Sequence, residues 1–248
     1  MQYSSFVLAA AAGLITNVAG HGFLASPPPR IAGDAMKAVC GNQVFSNQAS
    51  DNGGNIQGML QVAKSQKDFD PVKCNVFLCK GFQFADNAKN IQTYTAGQVV
   101  PYKFDIRAPH TGTANISVID TATNSIIGEP LLSFAMFADN AKTIPEDQRT
   151  GSFTIPTGLE SKCATAGSCV IQHFWDARSI DQTYESCIDF QMGGGGGGAA
   201  APPATVTPAA AAAAAAVPAG NAPPKVTPTT FATAKKAAAT PAPQSNCS

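Results

Sequence analysis

Residues 114–120 read ANISVID, and the chain reverses straight after them at 121–124, TATN. Alternating apolar and polar side chains are the two-residue period of a strand with one buried face, and Thr and Asn favour turns. Toward the N-terminus, 98–106 (QVVPYKFDI) reads as another strand. Pro101 within it has no amide hydrogen to donate, so it belongs at a sheet edge or a bulge. Toward the C-terminus, 151–155 (GSFTI), 169–175 (CVIQHFW) and 187–192 (CIDFQM) are three more strands. Residues 55–69, NIQGMLQVAKSQKDF, are better as a helix, with Ile56, Leu60 and Ala63 at helical spacing. Short strands separated by turns, with one helical insertion, indicate a β-sandwich. The loop-rich stretch 21–95 is expected to decorate one end of it.

Both termini differ from this pattern. Residues 6–15, FVLAAAAGLI, are an apolar run after a short polar start, and Val18, Ala19 and Gly20 are the small residues a signal peptidase reads. The run is too short to span a bilayer. No Lys or Arg precedes it, so the terminal amine supplies the positive charge. Residues 1–20 are therefore expected to be a cleaved signal peptide, which makes His21 the first residue of a secreted protein. From Gly193 six consecutive glycines lead into Ala, Pro and Thr. This composition cannot bury a face, so 193–248 reads as a disordered tail whose threonines beside prolines suit O-glycans. The remaining 172 residues, 21–192, suffice for one domain with a proper core.

The whole chain has no net charge, but 21–192 holds thirteen basic and sixteen acidic residues, a net charge of −3. That balance suits a neutral partner and points to neither nucleic acid nor an anionic membrane. The domain contains six cysteines, Cys40, Cys74, Cys79, Cys163, Cys169 and Cys187. In a secreted domain these imply up to three disulfides, with 15 possible pairings. No CxxC pair is present, which argues against zinc held by cysteine. Cys247 is left over, free or intermolecular. Asn115-Ile116-Ser117 is a glycosylation sequon inside a predicted strand, and Asn246-Cys247-Ser248 is a second near the end of the chain.

The chemistry lies in three histidines, His21, His110 and His173. A terminal histidine offers one metal two nitrogens, its α-amine and a ring nitrogen. A second histidine completes a three-nitrogen plane, the tetragonal arrangement that suits Cu(II). The amine must lose its proton to bind, which a copper ion drives. His21 opens HGFLASPPPR, and His110 lies in Arg107-Ala108-Pro109-His110-Thr111-Gly112 between two predicted strands. One further segment runs VIQHFWDA over 170–177, followed by QTYESCID over 182–189.

Taken in that order, these segments resemble the chitin-binding type-4 domains, which are copper-dependent lytic polysaccharide monooxygenases. HG at the mature terminus with its proline-rich sequel matches their opening, and APHTG the segment that supplies their second histidine. Trp175-Asp176, then Tyr184 and Ile188-Asp189, resemble the last strands of the bacterial members, where Phe or Tyr lies beside the copper axis. Gln182-x-Tyr184-x-x-Cys187 also resembles the fungal cellulose-active family, in which the glutamine hydrogen-bonds beside the metal, the tyrosine is axial and the cysteine ties back to an N-terminal loop. The resemblance covers most of 21–190 and is sparse between 40 and 95. It implies an all-β fold, an immunoglobulin/fibronectin-III-like β-sandwich with loop and short-helix insertions. It implies one copper ion on His21 and His110, Tyr184 axial, Gln182 orienting, and a Cys40–Cys187 disulfide. The implied reaction is oxidative cleavage of an insoluble polysaccharide at C1 or C4, with an external electron donor and O2 or H2O2. Chitin is favoured, with cellulose or another wall glycan as alternatives. A secreted monomer is expected, free or associated with the cell wall.

His173 precedes Gln182 by nine positions, the spacing of a histidine beside the metal in the fungal cellulose-active family. The gapless match through Trp175-Asp176 sets it instead opposite a residue with no copper role, and as a strand residue in an apolar run it reads as packed or surface. Gln172 faces the other side of the strand, so only one of the two can point at the site. Two other functions fit the residues. A copper carrier without oxidation would bring Asp176 or Asp181 to the metal. A carbohydrate-binding wall protein would use the tail as a display arm. Asp176 and Asp189 also resemble a glycosidase pair, but Asp189 ends a core-like strand and reads as structural.

Overall fold

A computed structural model describes residues 21–193; the expected signal peptide and tail lie outside them. The described chain is mostly strand with short helices, in the order β1 (Gly22–Ser26), α1 (Asp34–Cys40), α2 (Asn42–Ser50), α3 (Ile56–Ala63), α4 (Pro71–Cys74), α5 (Phe84–Asn87), β2 (Gln92–Tyr94), β3 (Val99–Ile106), β4 (Gly112–Asp120), β5 (Ser125–Ile126), β6 (Leu132–Phe137), β7 (Thr150–Thr154), β8 (Cys169–Ala177) and β9 (Gln182–Met192). It is an immunoglobulin-like β-sandwich. One sheet has the order β1-β3-β7; the other runs β2-β9-β8-β4-β5, with β6 also on β4. All pairs are antiparallel except β2 with β9.

The alternation that predicted the strands also builds the core. Val100, Tyr102, Phe104 and Ile106 of β3 face Ala114, Ile116 and Val118 of β4 and Ile171 and Trp175 of β8. Pro101 pairs with Ser152 of β7, while β1 reaches only Lys103–Ile106 of β3 on the other side. The proline thus sits where β3 has one partner, as a residue without an amide hydrogen must.

Within the stretch 21–95, expected to decorate one end of the sandwich, residues 27–91 do more than that. Their five helices form a second core around Met36, Val44, Ile56, Met59 and Phe82. This layer covers the outer face of β9, which is buried along nearly its whole length. The covering explains why β9 starts at Gln182, five residues before the predicted Cys187. Thr183 and Glu185 are buried under the helices and not solvated, so the polar letters hid a strand. The predicted 55–69 helix stops at Ala63 because the chain beyond it serves another element: Gln66 and Asp68 accept from the amides of Gln43 and Asn42 at the start of α2.

The expected Cys40–Cys187 bridge is not formed. The disulfides are Cys40–Cys74, Cys79–Cys187 and Cys163–Cys169. Cys40 closes the helical layer on itself. Cys79 lies on a tight turn with positive φ at both Cys79 and Lys80, which lays it across β9. Closing a loop of sequence separation 108 confers on the order of 4 kcal/mol by restricting the unfolded chain. Asp189 is buried in a two-pronged pair with Arg30, at 2.7 and 2.8 Å. It is structural and does not join Asp176, whose carboxylate is held by Arg178 at 2.6 Å. Asn115 is half-buried on β4, between β6 and β8, and accepts from Ser117. No helix of the described residues is long and apolar enough to cross a membrane.

Candidate metal centre

β3 and β4 belong to opposite sheets, so the connection 107–111 crosses the end of the sandwich. It carries His110. The His21 carbonyl accepts from the amides of Arg107 (2.9 Å) and Ala108 (3.2 Å), so the start of β1 is fixed to the loop bearing the second histidine. The Gly22 amide donates to Gly53 (3.2 Å), which fixes the same point from the other side. Gly22 has no room for a side chain, because a Cβ there would meet the Trp175 ring. His110 Nε2 is buried and has no hydrogen-bond partner. Burial, then the charge of the neighbouring His21, hold the His110 imidazole below its ordinary range. A neutral imidazole with an unpartnered nitrogen is what a metal ligand requires.

On His21, Nε2 lies 2.6 Å from Asp51 Oδ2. The ring nitrogen nearer the backbone, Nδ1, is the one that forms a chelate with the residue's own α-nitrogen. In the 248-residue chain that α-nitrogen is an amide to Gly20; cleavage would make it an amine. Among the described residues no cluster of three His, Cys, Asp or Glu is arranged to hold a metal. The side chains thus supply two nitrogens, and a third must come from a freed His21 terminus. The donor set fits copper on those terms.

Beneath the histidines lies an aromatic floor. Tyr184 stacks on Trp175 with centroids 4.3 Å apart, and Phe137 meets Trp175 edge-on at 5.4 Å. Tyr184 is fully buried and its hydroxyl donates to Gln182 Oε1. Burial and then the Asp51 carboxylate push the phenol well above its usual range, so it stays a neutral donor. Tyr184 and Gln182 are therefore together, and the Asp51 that bonds His21 is near enough for its charge to act on the Tyr184 phenol.

His173 and Gln172 lie elsewhere. The His173 ring packs on Phe104 (4.6 Å) and Phe137 (5.7 Å) inside the sandwich, with both nitrogens unpartnered. Gln172, on the opposite face, accepts from the Cys79 amide at 3.2 Å. Asp176 is engaged by Arg178, and Asp181 lines a 340 Å³ groove with Gln57 and Phe69. The sequence reading missed Asp51 and Arg107, whose guanidinium bonds Asp51 at 3.3 Å and lies over the Phe23 ring. The one available signal was the Asp51-Asn52-Gly53-Gly54 turn ahead of α3, and nothing in it marks proximity to His21.

The chain is thus an immunoglobulin-like β-sandwich with His21 and His110 beside each other at one end. The chain belongs to the lytic polysaccharide mono-oxygenase family, whose model, described as cellulose-degrading, matches residues 21–190. Members of this family use copper and an external reductant on insoluble polysaccharides and are generally secreted. Solved structures similar to this chain include CBM33 from Bacillus amyloliquefaciens in complex with Cu(I) (16% identity, TM-score 0.29, covering 42% of this chain and 56% of that one). A chitin binding domain from Burkholderia pseudomallei is 10% identical, with a TM-score of 0.39 over 70% of this chain and 100% of that one. The lytic polysaccharide monooxygenase AA15 from Thermobia domestica in the Cu(I) state is 20% identical, with a TM-score of 0.36 over 69% and 98%. No curated protein matches the chain.

Proposed function

We propose that cleavage after Gly20 releases a secreted copper enzyme, residues 21–192 with the tail 193–248, which oxidatively cleaves an insoluble polysaccharide. Chitin is the favoured substrate, with cellulose or another wall glycan as alternatives. One copper ion is held by His21, through its amine and ring, and by His110. The observation that carries this reading is the backbone bonding of His21 to Arg107 and Ala108, two to three residues from a histidine with a buried, unpartnered Nε2. When bound, copper supplies one-electron redox chemistry with O2 or H2O2. Taking O2 as oxidant, two electrons and two protons from outside balance one hydroxylated carbon and one water; the hydroxylated C1 or C4 then expels the neighbouring sugar oxygen.

The chain's own groups orient and shield. Tyr184 closes the site from below as a bulky neutral ring, and its hydroxyl fixes Gln182. Asp51 holds the His21 ring by Nε2, which turns Nδ1 toward the metal position. The protein is proposed to act as a secreted monomer.

The same Asp51 contact also favours a second reading, a copper carrier without oxidation. The test compares protein beginning at His21 with protein carrying one extra residue before it. Tight Cu(II) binding with nitrogen hyperfine coupling in the EPR spectrum, lost on extension, is expected. Equal weak binding by both would overturn both copper readings. Oxidised oligosaccharides from chitin or cellulose, formed only with reductant, separate the enzyme from the carrier.

A further inference from the structure

Lys80 is an unusual residue for its position. Its side chain is 1% exposed, yet no carboxylate lies within ion-pair distance among the described residues. Its ammonium donates to the carbonyls of Asn52 and of Gly54 (3.0 Å) and lies 5.2 Å from the Phe82 ring centre. Burial pushes it well below the ordinary lysine range, against the pull of Asp51 and Glu185. A buried ammonium needs compensating partners, and here two carbonyls and an aromatic face supply them.

The turn that carries Lys80 is held from below. Cys79 is bridged to Cys187, the Cys79 amide donates to Gln172, and the Lys80 amide donates to Glu185 Oε2 at 3.2 Å. Positive φ at Cys79 and Lys80 directs the side chain away from β9 and into the 51–54 loop. That loop makes three contacts at the candidate centre. Asp51 bonds His21, Gly53 accepts from the Gly22 amide, and Asp51 also bonds Arg107. The loop has no strand partner of its own, and its internal bonds are the Gly53 amide to Asp51 Oδ1 and the Gly54 amide to the Asp51 carbonyl.

We infer that Lys80 is a positioning residue: by clamping the Asn52 and Gly54 carbonyls it fixes the 51–54 loop against His21, and so sets where Asp51 meets the histidine. The inference rests on His21 and His110 being the centre, but its first readout needs no metal. In copper-free protein beginning at His21, Lys80→Met keeps the stem and removes the donor. Amide exchange measured by NMR at Gly22 and Gly54 is expected to quicken about tenfold or more, the factor that corresponds to one lost hydrogen bond, while amides of β8 keep their protection. The copper-loaded variant is expected to bind Cu(II) roughly 10-fold or more weakly, with altered EPR parameters. If Lys80→Met does not fold, Lys80→Gln, whose shorter stem cannot reach the carbonyls, carries the same readouts. Unchanged exchange at Gly22 and Gly54 in a folded variant overturns the inference, as does an unchanged EPR spectrum with quickened exchange, since the loop would then move without moving the site. Wild-type protein that fails to bind copper overturns the proposed function alone; the exchange result still decides the role of Lys80.

Discussion

His173 shows what burial does to one titratable group. With aromatic neighbours and no partner for either nitrogen, its imidazole is pushed down to about 3 by desolvation alone. Unfolded, it titrates near ~6.5. Between these values the unfolded chain binds the extra proton, so the contribution is complete above about pH 6.5 and is lost as pH falls toward 3. His173→Phe is expected to change stability by less than about 2 kcal/mol at neutral pH, since one ring replaces another. It is also expected to flatten the loss on acidification. Melting temperatures of both proteins at pH 7 and pH 4 check this; parallel losses would show that His173 is solvated or paired. The sequence left a packed or a surface strand histidine open, and the structure packs it between aromatic rings. What no reading of single residues supplied was Asp51, because its meeting with His21 spans a 30-residue separation across two unrelated loops.

The start of β4 shows how an element sets the site. Gly112 lies so close to β8 that a Cβ would collide with the carbonyl oxygen of Asp176 and crowd Ala177 Cα. Both obstacles are backbone, so neither can rotate away. Gly112→Ala is therefore expected to pry β4 from β8 at the end beside Thr111 and His110. A cost of about 1–3 kcal/mol is expected, a fall of several degrees in melting temperature, with weakened Cu(II) binding even where the protein remains folded. Calorimetry paired with a copper titration checks both; unchanged values would mean that the strand ends are looser than the register Thr113↔Asp176 indicates.

At the scale of the described residues, three layers are joined through β9: the small sheet on one side of it, the helical layer on the other. Arg30 is the joint between β9 and the helical layer. Besides gripping Asp189, it donates to the Phe82 carbonyl at 2.9 Å, and its amide donates to Cys187. Removing one partner leaves a buried charge exposed to no water. Arg30→Met is expected to cost about 3–5 kcal/mol, on the order of 10 °C in melting temperature. Arg30→Met combined with Asp189→Leu should recover much of that loss. Thermal unfolding of the single and double variants checks the pair; equal losses would show that the stem of Arg30, not its charge, does the joining.

The sandwich strands and the family followed from local pattern, because two-residue periodicity and short motifs are properties of neighbours in the chain. Strand β9 from Gln182, the helical layer, the Cys79–Cys187 bridge and the Asp51 and Lys80 contacts did not. Each depends on a second layer covering what would otherwise be a solvent face. Under that cover polar residues are buried by pairing, and pairing between residues distant in sequence is fixed only when the chain packs.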